Sequence, residues 1–132
     1  MKNTFDCVHI IILAAGGSSR FGSPKQLAKW NDVSLLEHAV DLARTVTENV
    51  LVVLGSQAEI IQNETNLNQT KVVINPDWQH GIASSICAGI NNLPIKTKAA
   101  MILLCDQPLL KVSSLKDLIS LHQQNPNRII AS

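Results

Sequence analysis

An α/β fold, with a mostly parallel sheet and helices on both faces, is what this chain predicts. Three observations carry that reading. Short apolar runs alternate with segments of helical spacing. The runs are continuously apolar, as in strands buried on both faces. No internal repeat, low-complexity tract or linker interrupts the 132 residues, so they read as one domain.

The elements follow in order. Val8 to Ala15 is the first strand, and it runs straight into Gly16 and Gly17. Ser34 to Thr47 places Leu35, Leu36, Ala39, Val40 and Ala43 at helical spacing. Ser34 and Glu37 form a capping-box pattern at its start. Val50 to Gly55 is the second strand. Ser56 and Glu59 repeat the capping pattern before a shorter helix ending near Asn66. Lys71 to Asn75 is the third strand and Ile82 to Asn92 the third helix. Ala99 to Cys105 is the fourth strand, Ser113 to Gln124 the fourth helix, and Arg128 to Ala131 a fifth strand. Asn91 to Lys98 and Asn125 to Asn127 read as polar connections.

Composition narrows the function classes. Apolar residues make up 45% of the chain, which argues for a packed core rather than disorder. A net charge of +1 leaves no electrostatic footprint for nucleic acid or an acidic membrane. No apolar run reaches the ~18 residues that span a bilayer, and Met1 to Asp6 contains no apolar signal region. A cytoplasmic protein is expected. Cys7, Cys87 and Cys105 are scattered without a C-x-x-C pair, which argues against disulfides and zinc. Cys87 and Cys105 lie among apolar residues and read as small buried hydrophobes. His9, His38, His80 and His122 show no metal-ligand spacing. His9 reads as a satisfied core histidine, and His38 and His122 as surface or boundary residues.

Chemistry concentrates in the run ILAAGGSSRFGSPKQL, from Ile12 to Leu27. Small residues let a backbone approach a ligand closely, and successive N–H groups in such a turn can form an anion-binding concavity. Arg20 and Lys25 add two positive charges. Two familiar phosphate loops fail the spacing test. Gly17 and Gly22 are spaced as in a Walker A loop, but Ser23-Pro24-Lys25 follows instead of Lys-Ser or Lys-Thr. Gly16, Gly17 and Gly22 do not fit G-x-G-x-x-G, and Pro24 disfavours a helix leaving the glycines directly.

Ligands of parallel sheets bind outside the carboxyl ends of the strands. The glycine loop, Asn75-Pro76-Asp77-Trp78 and Cys105-Asp106-Gln107-Pro108 should therefore face one pocket. Asp106 closes a strongly apolar strand. It is either a turn residue or a magnesium ligand, since magnesium is typically held by one or two carboxylates and substrate phosphates. Gly81 to Ser85 offers N–H and hydroxyl donors, and Ser84 or Ser85 also fits a helix N-cap. Trp78 fits packing or base stacking.

These residues resemble a known family. Leu13-Ala14-Ala15-Gly16-Gly17-Ser18-Ser19-Arg20-Phe21-Gly22-Ser23-Pro24-Lys25 fills every position of L-A-[AG]-G-x-x-x-R-x-G-x-x-K. That is the signature of the molybdenum-cofactor nucleotidyltransferases, the MobA-like NTP transferases. Asn75 to Ser85 and Leu103 to Pro108 resemble two further segments of that family. The resemblance implies a Rossmann-like three-layer sandwich of the nucleotide-diphospho-sugar transferase type. Leu13, Ala14, Ala15, Gly16, Gly17, Ser18, Arg20 and Lys25 are implied to wrap a triphosphate. Asn75, Gly81, Ser84 and Ser85 are implied to line the base and ribose pocket. Arg20, Lys25 and Asp106 are the implied catalytic residues, with Asp106 binding Mg2+.

The Leu-Ala-Ala-Gly start and the Asn75 to Ser85 run are most similar to the cytidylyltransferase branch, so CTP is favoured over GTP. The implied reaction moves CMP, or another NMP, to a phosphate-bearing acceptor such as molybdopterin and releases pyrophosphate. Guanylyl or sugar-phosphate transfer, and binding without catalysis, stay open. Family members continue past residue 132, so the resemblance implies an incomplete domain. Its missing part would supply the acceptor region and a second metal-binding aspartate. The sheet would then keep an open edge for an oligomer contact or partner to cover.

Overall fold

Residue pattern sets the centre of the sheet. In β1 (Val8–Ala14) every residue except His9 is buried, so this strand must be flanked on all sides. The computed structural model describes residues 8–17, 19–20, 23–67 and 69–125, with only the backbone of Ser19 and Arg20. Around β1 stand β2 (Val50–Leu54), β3 (Lys71–Ile74) and β4 (Ala99–Leu104). The order is β3-β2-β1-β4 and every pairing is parallel. Ile10 is in register with Val50 and Met101. The chain thus builds outward from β1 to β3, then crosses to the far side of β1. The β1/β4 boundary is the switch point where ligands of such sheets bind.

Helices cover both faces. On one face α1 (Leu35–Arg44), α2 (Ala58–Glu64) and α4 (Val112–Gln124) pack Leu36, Val40, Ile61, Leu115 and Ile119 against Ile10, Ile12, Val52 and Leu103. On the other, α3 (Ile82–Asn91) sets Ile86 and Ala88 against Ile11, Leu13 and Val53. Gly89 makes the close approach. A Cβ there would lie 2.7 Å from Ile11 Cγ2. The expected three-layer α/β architecture is present.

The strands end one residue earlier than expected, at Ala14, Leu54, Ile74 and Leu104. Ala15, Gly55, Asn75 and Cys105 have become turn residues. The Ser34 N-cap forms: the Glu37 N–H donates to Ser34 Oγ at 3.1 Å, while Glu37 Oε1 accepts the Ser34 hydroxyl at 2.7 Å rather than the backbone N–H of a full capping box. The Ser56 cap does not form. Ser56 donates its N–H to Ala15 O, 3.2 Å away, and the chain passes through a left-handed Gln57 (φ 54°) that occupies the N-cap without a side-chain bond. That step puts Ser56 one residue outside cap register.

Between β1 and α1 the chain forms two small ladders, Ser19–Arg20 with Ser23–Pro24 and Lys29–Trp30 with Val33–Ser34. Asn31 and Asp32 turn the second with φ of 52° and 65°, the double left-handed geometry of a tight hairpin.

Two expectations are corrected. Cys87 is exposed. α3 turns Ser85 and Gly89 inward, and a residue midway between two positions four apart points the opposite way. His9 is only half-buried and its Nδ1 is enclosed without a partner, so it is not a satisfied histidine. Burial holds its pKa below the usual histidine value. The expected fifth strand, Arg128 to Ala131, and Cys7, Ser18 and Gly22 lie outside the described residues. At the β4 edge Ile102 and Leu104 are each 38% exposed. No helix among the described residues is long and apolar enough to cross a membrane.

Candidate functional site

A cavity of about 340 Å³ opens at the carboxyl ends of β1 and β4, within the size range of small-molecule sites. Leu13, Ala14, Ala15 and Gly16 form its floor, and Leu104, Cys105 and Asp106 one wall. Trp78, Gly81, Ile82 and Ser85 form the opposite wall. All three strand ends named from the sequence therefore meet at one place.

The next turn supplies two walls at once. Pro24, with φ −60°, leads into a single 3₁₀ turn, Lys25–Leu27. Adjacent residues of that turn diverge. Lys25 reaches the mouth, where its Nζ lies 2.9 Å from Asp106 Oδ2 with both side chains partly exposed. Gln26 turns inward and is 4% exposed. Its Nε2 donates to Ala14 O at 2.7 Å and to Gly16 O at 3.1 Å.

Asp106 is held from behind. His38 on α1 meets Pro108 O through Nε2 at 3.0 Å, with Nε2–H as donor, and so ties down the turn that carries the aspartate. Cys105, next to it, has its thiol pKa raised to about 11 by burial first and by the Asp106 charge second, against a lowering from Lys25. At neutral pH the free thiol is therefore protonated.

The Asn75 segment behaves differently from a set of ligand donors. Asn75 is 3% exposed. Its Nδ2 donates to Ser84 Oγ at 2.9 Å and Ser85 Oγ at 3.0 Å, and its Oδ1 accepts the Asp77 N–H at 2.9 Å. Ser84 Oγ in turn donates to Gly81 O at 2.8 Å or Asp77 O at 3.0 Å. These bonds fix the start of α3. Gly81, not either serine, is the N-cap, and it makes no side-chain cap bond. Of this group Gly81 and Ser85 reach the cavity wall, while Asn75 and Ser84 stand behind it.

Trp78 does both jobs weighed for it. It lines the cavity. It also packs on two glycines, since a Cβ on Gly17 would lie 2.5 Å from Trp78 Cζ3 and one on Gly55 2.5 Å from Trp78 Cβ. Gly17 lies beside the wall residue Trp78 rather than on the cavity floor. Ser18 and the Arg20 side chain lie outside the described residues. Gln26, Ile82 and Leu104 are wall residues that the sequence does not single out.

Among the described residues Asp106 is the single carboxylate on the cavity wall. Among the described residues no three His, Cys, Asp or Glu side chains gather to hold a metal ion. This donor set does not suit an ion caged by protein alone. It suits a hard divalent ion shared between one carboxylate, waters and the phosphates of a ligand.

A parallel α/β sheet with a glycine turn, a lysine and a strand-end aspartate at its switch point has the fold of the nucleotidyltransferases. The chain belongs to the MobA-like NTP transferase domain family, whose model matches residues 10–132. It is 34% identical over 128 residues to nicotine blue oxidoreductase of Paenarthrobacter nicotinovorans, covering 93% of this chain and 60% of that protein. It is 33% identical over 103 residues to a probable molybdenum cofactor guanylyltransferase of a Geobacillus species, covering 76% and 51%. It is 26% identical over 120 residues to the molybdenum cofactor cytidylyltransferase of Escherichia coli, covering 90% and 60%. Among solved structures it is similar to Rv0371c of Mycobacterium tuberculosis, with a TM-score of 0.80 and 26% identity over 92% of this chain and 62% of that one. The chain thus spans about 60% of the length of the Paenarthrobacter and Escherichia coli relatives.

Proposed function

We propose that the cavity binds a nucleoside triphosphate and that the whole protein transfers its NMP to a phosphate-bearing acceptor, releasing pyrophosphate. The observation that carries this reading is the pairing of Lys25 with Asp106, 2.9 Å apart, at the mouth of a cavity floored by the glycine turn. A cation for phosphate oxygens and a carboxylate for their counter-ion stand where a triphosphate would leave the floor.

The roles follow from charge and position. Lys25 and Arg20 neutralise the β- and γ-phosphates. Asp106 would hold a divalent ion, Mg2+ or Mn2+, which when bound offsets charge on the phosphate oxygens and the pyrophosphate leaving group. The α-phosphorus is attacked by a phosphate oxygen of the acceptor, so the protein needs no nucleophile of its own. Positioning and charge neutralisation carry such a reaction. Leu13 to Gly17 wrap the triphosphate and the Gly81 to Ser85 wall lines the base and ribose, with Asn75 and Ser84 bracing that wall. CTP is the favoured base on the Leu-Ala-Ala-Gly start, and the acceptor class includes molybdopterin, as the names of two relatives suggest.

Calorimetry with CTP and GTP in Mg2+, run beside a pyrophosphate-release assay, tests this. Saturable binding with turnover supports transfer, and binding without turnover supports a nucleotide-binding module. Tighter GTP binding overturns the cytidylyl preference. Absence of binding to both overturns the proposal.

A second reading rests on the Paenarthrobacter relative, 34% identical and named an oxidoreductase. A shared fold does not fix a reaction. That reading predicts no pyrophosphate from any nucleoside triphosphate.

A further inference from the structure

Gln26 stands out among the cavity residues because it is buried, polar and only partly satisfied. Its Oε1 is enclosed with no hydrogen-bond partner. Turning the amide over would not help, since the oxygen would then face two carbonyls. A buried acceptor left unpaired costs about 1–3 kcal/mol. Leucine or methionine would fill the same space without that penalty. The value of glutamine here must lie in its two amide protons, and both go to the loop, at Ala14 O and Gly16 O.

Those two bonds orient more than carbonyls. In a trans peptide the C=O and the following N–H point in opposite directions. Drawing Ala14 O and Gly16 O toward Gln26 therefore turns the N–H groups of Ala15 and Gly17 away from it. Between them, Ala15 O accepts the Ser56 N–H at 3.2 Å, which fixes the third peptide plane. The Trp78 indole rests against Gly17 and closes the other end. The three residues that follow β1, Ala15 to Gly17, carry one methyl group among them and are thus locked without a helix or strand by the buried Gln26 amide and its neighbours.

We propose that Gln26 is the positioning residue of this loop: its amide clamps the Ala14 and Gly16 carbonyls so that the N–H groups of Ala15 and Gly17 are preset donors for the bound nucleotide. The inference rests on the nucleotide reading above, but the clamp itself is a property of the free protein. Preset donors stabilise a ligand without paying reorganisation when it arrives.

The test compares Gln26→Met with Thr47→Val. Thr47 Oγ1 donates to Val8 O at 3.1 Å from an equally buried position. It makes the same kind of bond to the opposite end of the same strand, far from the cavity. Affinity for CTP in Mg2+ is measured by calorimetry, thermal midpoint by circular dichroism, and backbone exchange of residues 14–17 by deuterium uptake. The clamp predicts at least tenfold weaker CTP binding and faster exchange at 15–17 for Gln26→Met. Thr47→Val should lose comparable stability yet bind CTP within twofold of wild type and leave that exchange unchanged. Equal weakening by both variants, or unchanged exchange in Gln26→Met, would overturn the proposal. If the methionine variant does not fold, Gln26→Glu keeps the shape. Its ionised form lacks the donors, so CTP affinity should recover as pH falls and the carboxyl regains a proton. A flat pH response relative to wild type overturns the clamp. If wild type binds no nucleotide, the function above fails, while the exchange comparison still decides the clamp.

Discussion

Replacing Lys25 with methionine separates the two parts this lysine is given. In the free protein its ammonium lies 2.9 Å from Asp106 Oδ2, with the side chains 49% and 38% exposed. Ion pairs this open to solvent are worth about 0.2–1 kcal/mol. Lys25→Met should therefore lower the thermal midpoint by no more than roughly 4–8 °C. Against a bound triphosphate the same ammonium makes a charge-assisted hydrogen bond, worth about 1.5–3 kcal/mol. At 1.4 kcal/mol per tenfold, that is a roughly 10- to 150-fold rise in Kd. Calorimetry with CTP in Mg2+ reads the second effect and a thermal scan the first. A third titration, Mn2+ without nucleotide, follows from the geometry: the lysine occupies a carboxylate oxygen that the ion needs, so the variant should bind Mn2+ more tightly than wild type. A Kd within threefold of wild type would refute the phosphate role. A collapse of the thermal midpoint would show that the lysine is structural.

Two other predictions follow from neighbouring contacts. Gly55→Ala would place a Cβ 2.5 Å from Trp78 Cβ and 3.0 Å from Ala15 O. Overpacking of this kind costs about 1–3 kcal/mol, so the midpoint should fall by roughly 4–24 °C and CTP binding should weaken as Trp78 is displaced. A midpoint within 1 °C of wild type would show that the wall yields. Cys105 gives a pH signature. Its thiol pKa is raised to about 11 from the ordinary 9, so the unfolded chain releases the proton before the folded one. Its contribution to stability is complete below pH 9 and is lost as pH rises toward 11. Chemical denaturation from pH 8 to 11 should show a loss in wild type that is smaller in Cys105→Ala, and parallel curves would contradict the burial of the thiol.

The parts of this molecule that were legible are those decided locally or by a simple rule. Continuous apolar runs announced β1 and β2, because a strand flanked on both faces leaves no polar alternation; β4 has the same apolar run yet is an edge strand that leaves Ile102 and Leu104 partly exposed. Ser34 with Glu37 made the cap its pattern announced, since both partners lie within one turn. Ser56 with Glu59 carried the same pattern and failed, because a tertiary bond to Ala15 O and a left-handed Gln57 claimed the residues first. Convergence of the three strand ends followed from strand order alone. Gln26 was not legible, since its meaning depends on which way a single 3₁₀ turn faces beneath β1. Asn75 read as a ligand residue, yet its amide is fully engaged in bracing Ser84, Ser85 and Asp77. Nothing in the local pattern says whether such an amide faces a cavity or its own turn. Cys87 looked buried because its neighbours are apolar, but α3 meets the sheet through Ser85 and Gly89.

The central claim is that this cavity is where a nucleoside triphosphate binds, and Trp78 on its wall reports on it directly. Trp30, 38% exposed on the second hairpin, can be removed as Trp30→Phe to leave one indole. Titrating that variant with CTP in Mg2+ should change the Trp78 emission saturably, with the same midpoint as the calorimetric heat. Heat without any change in Trp78 emission, or no heat at all, would contradict the claim.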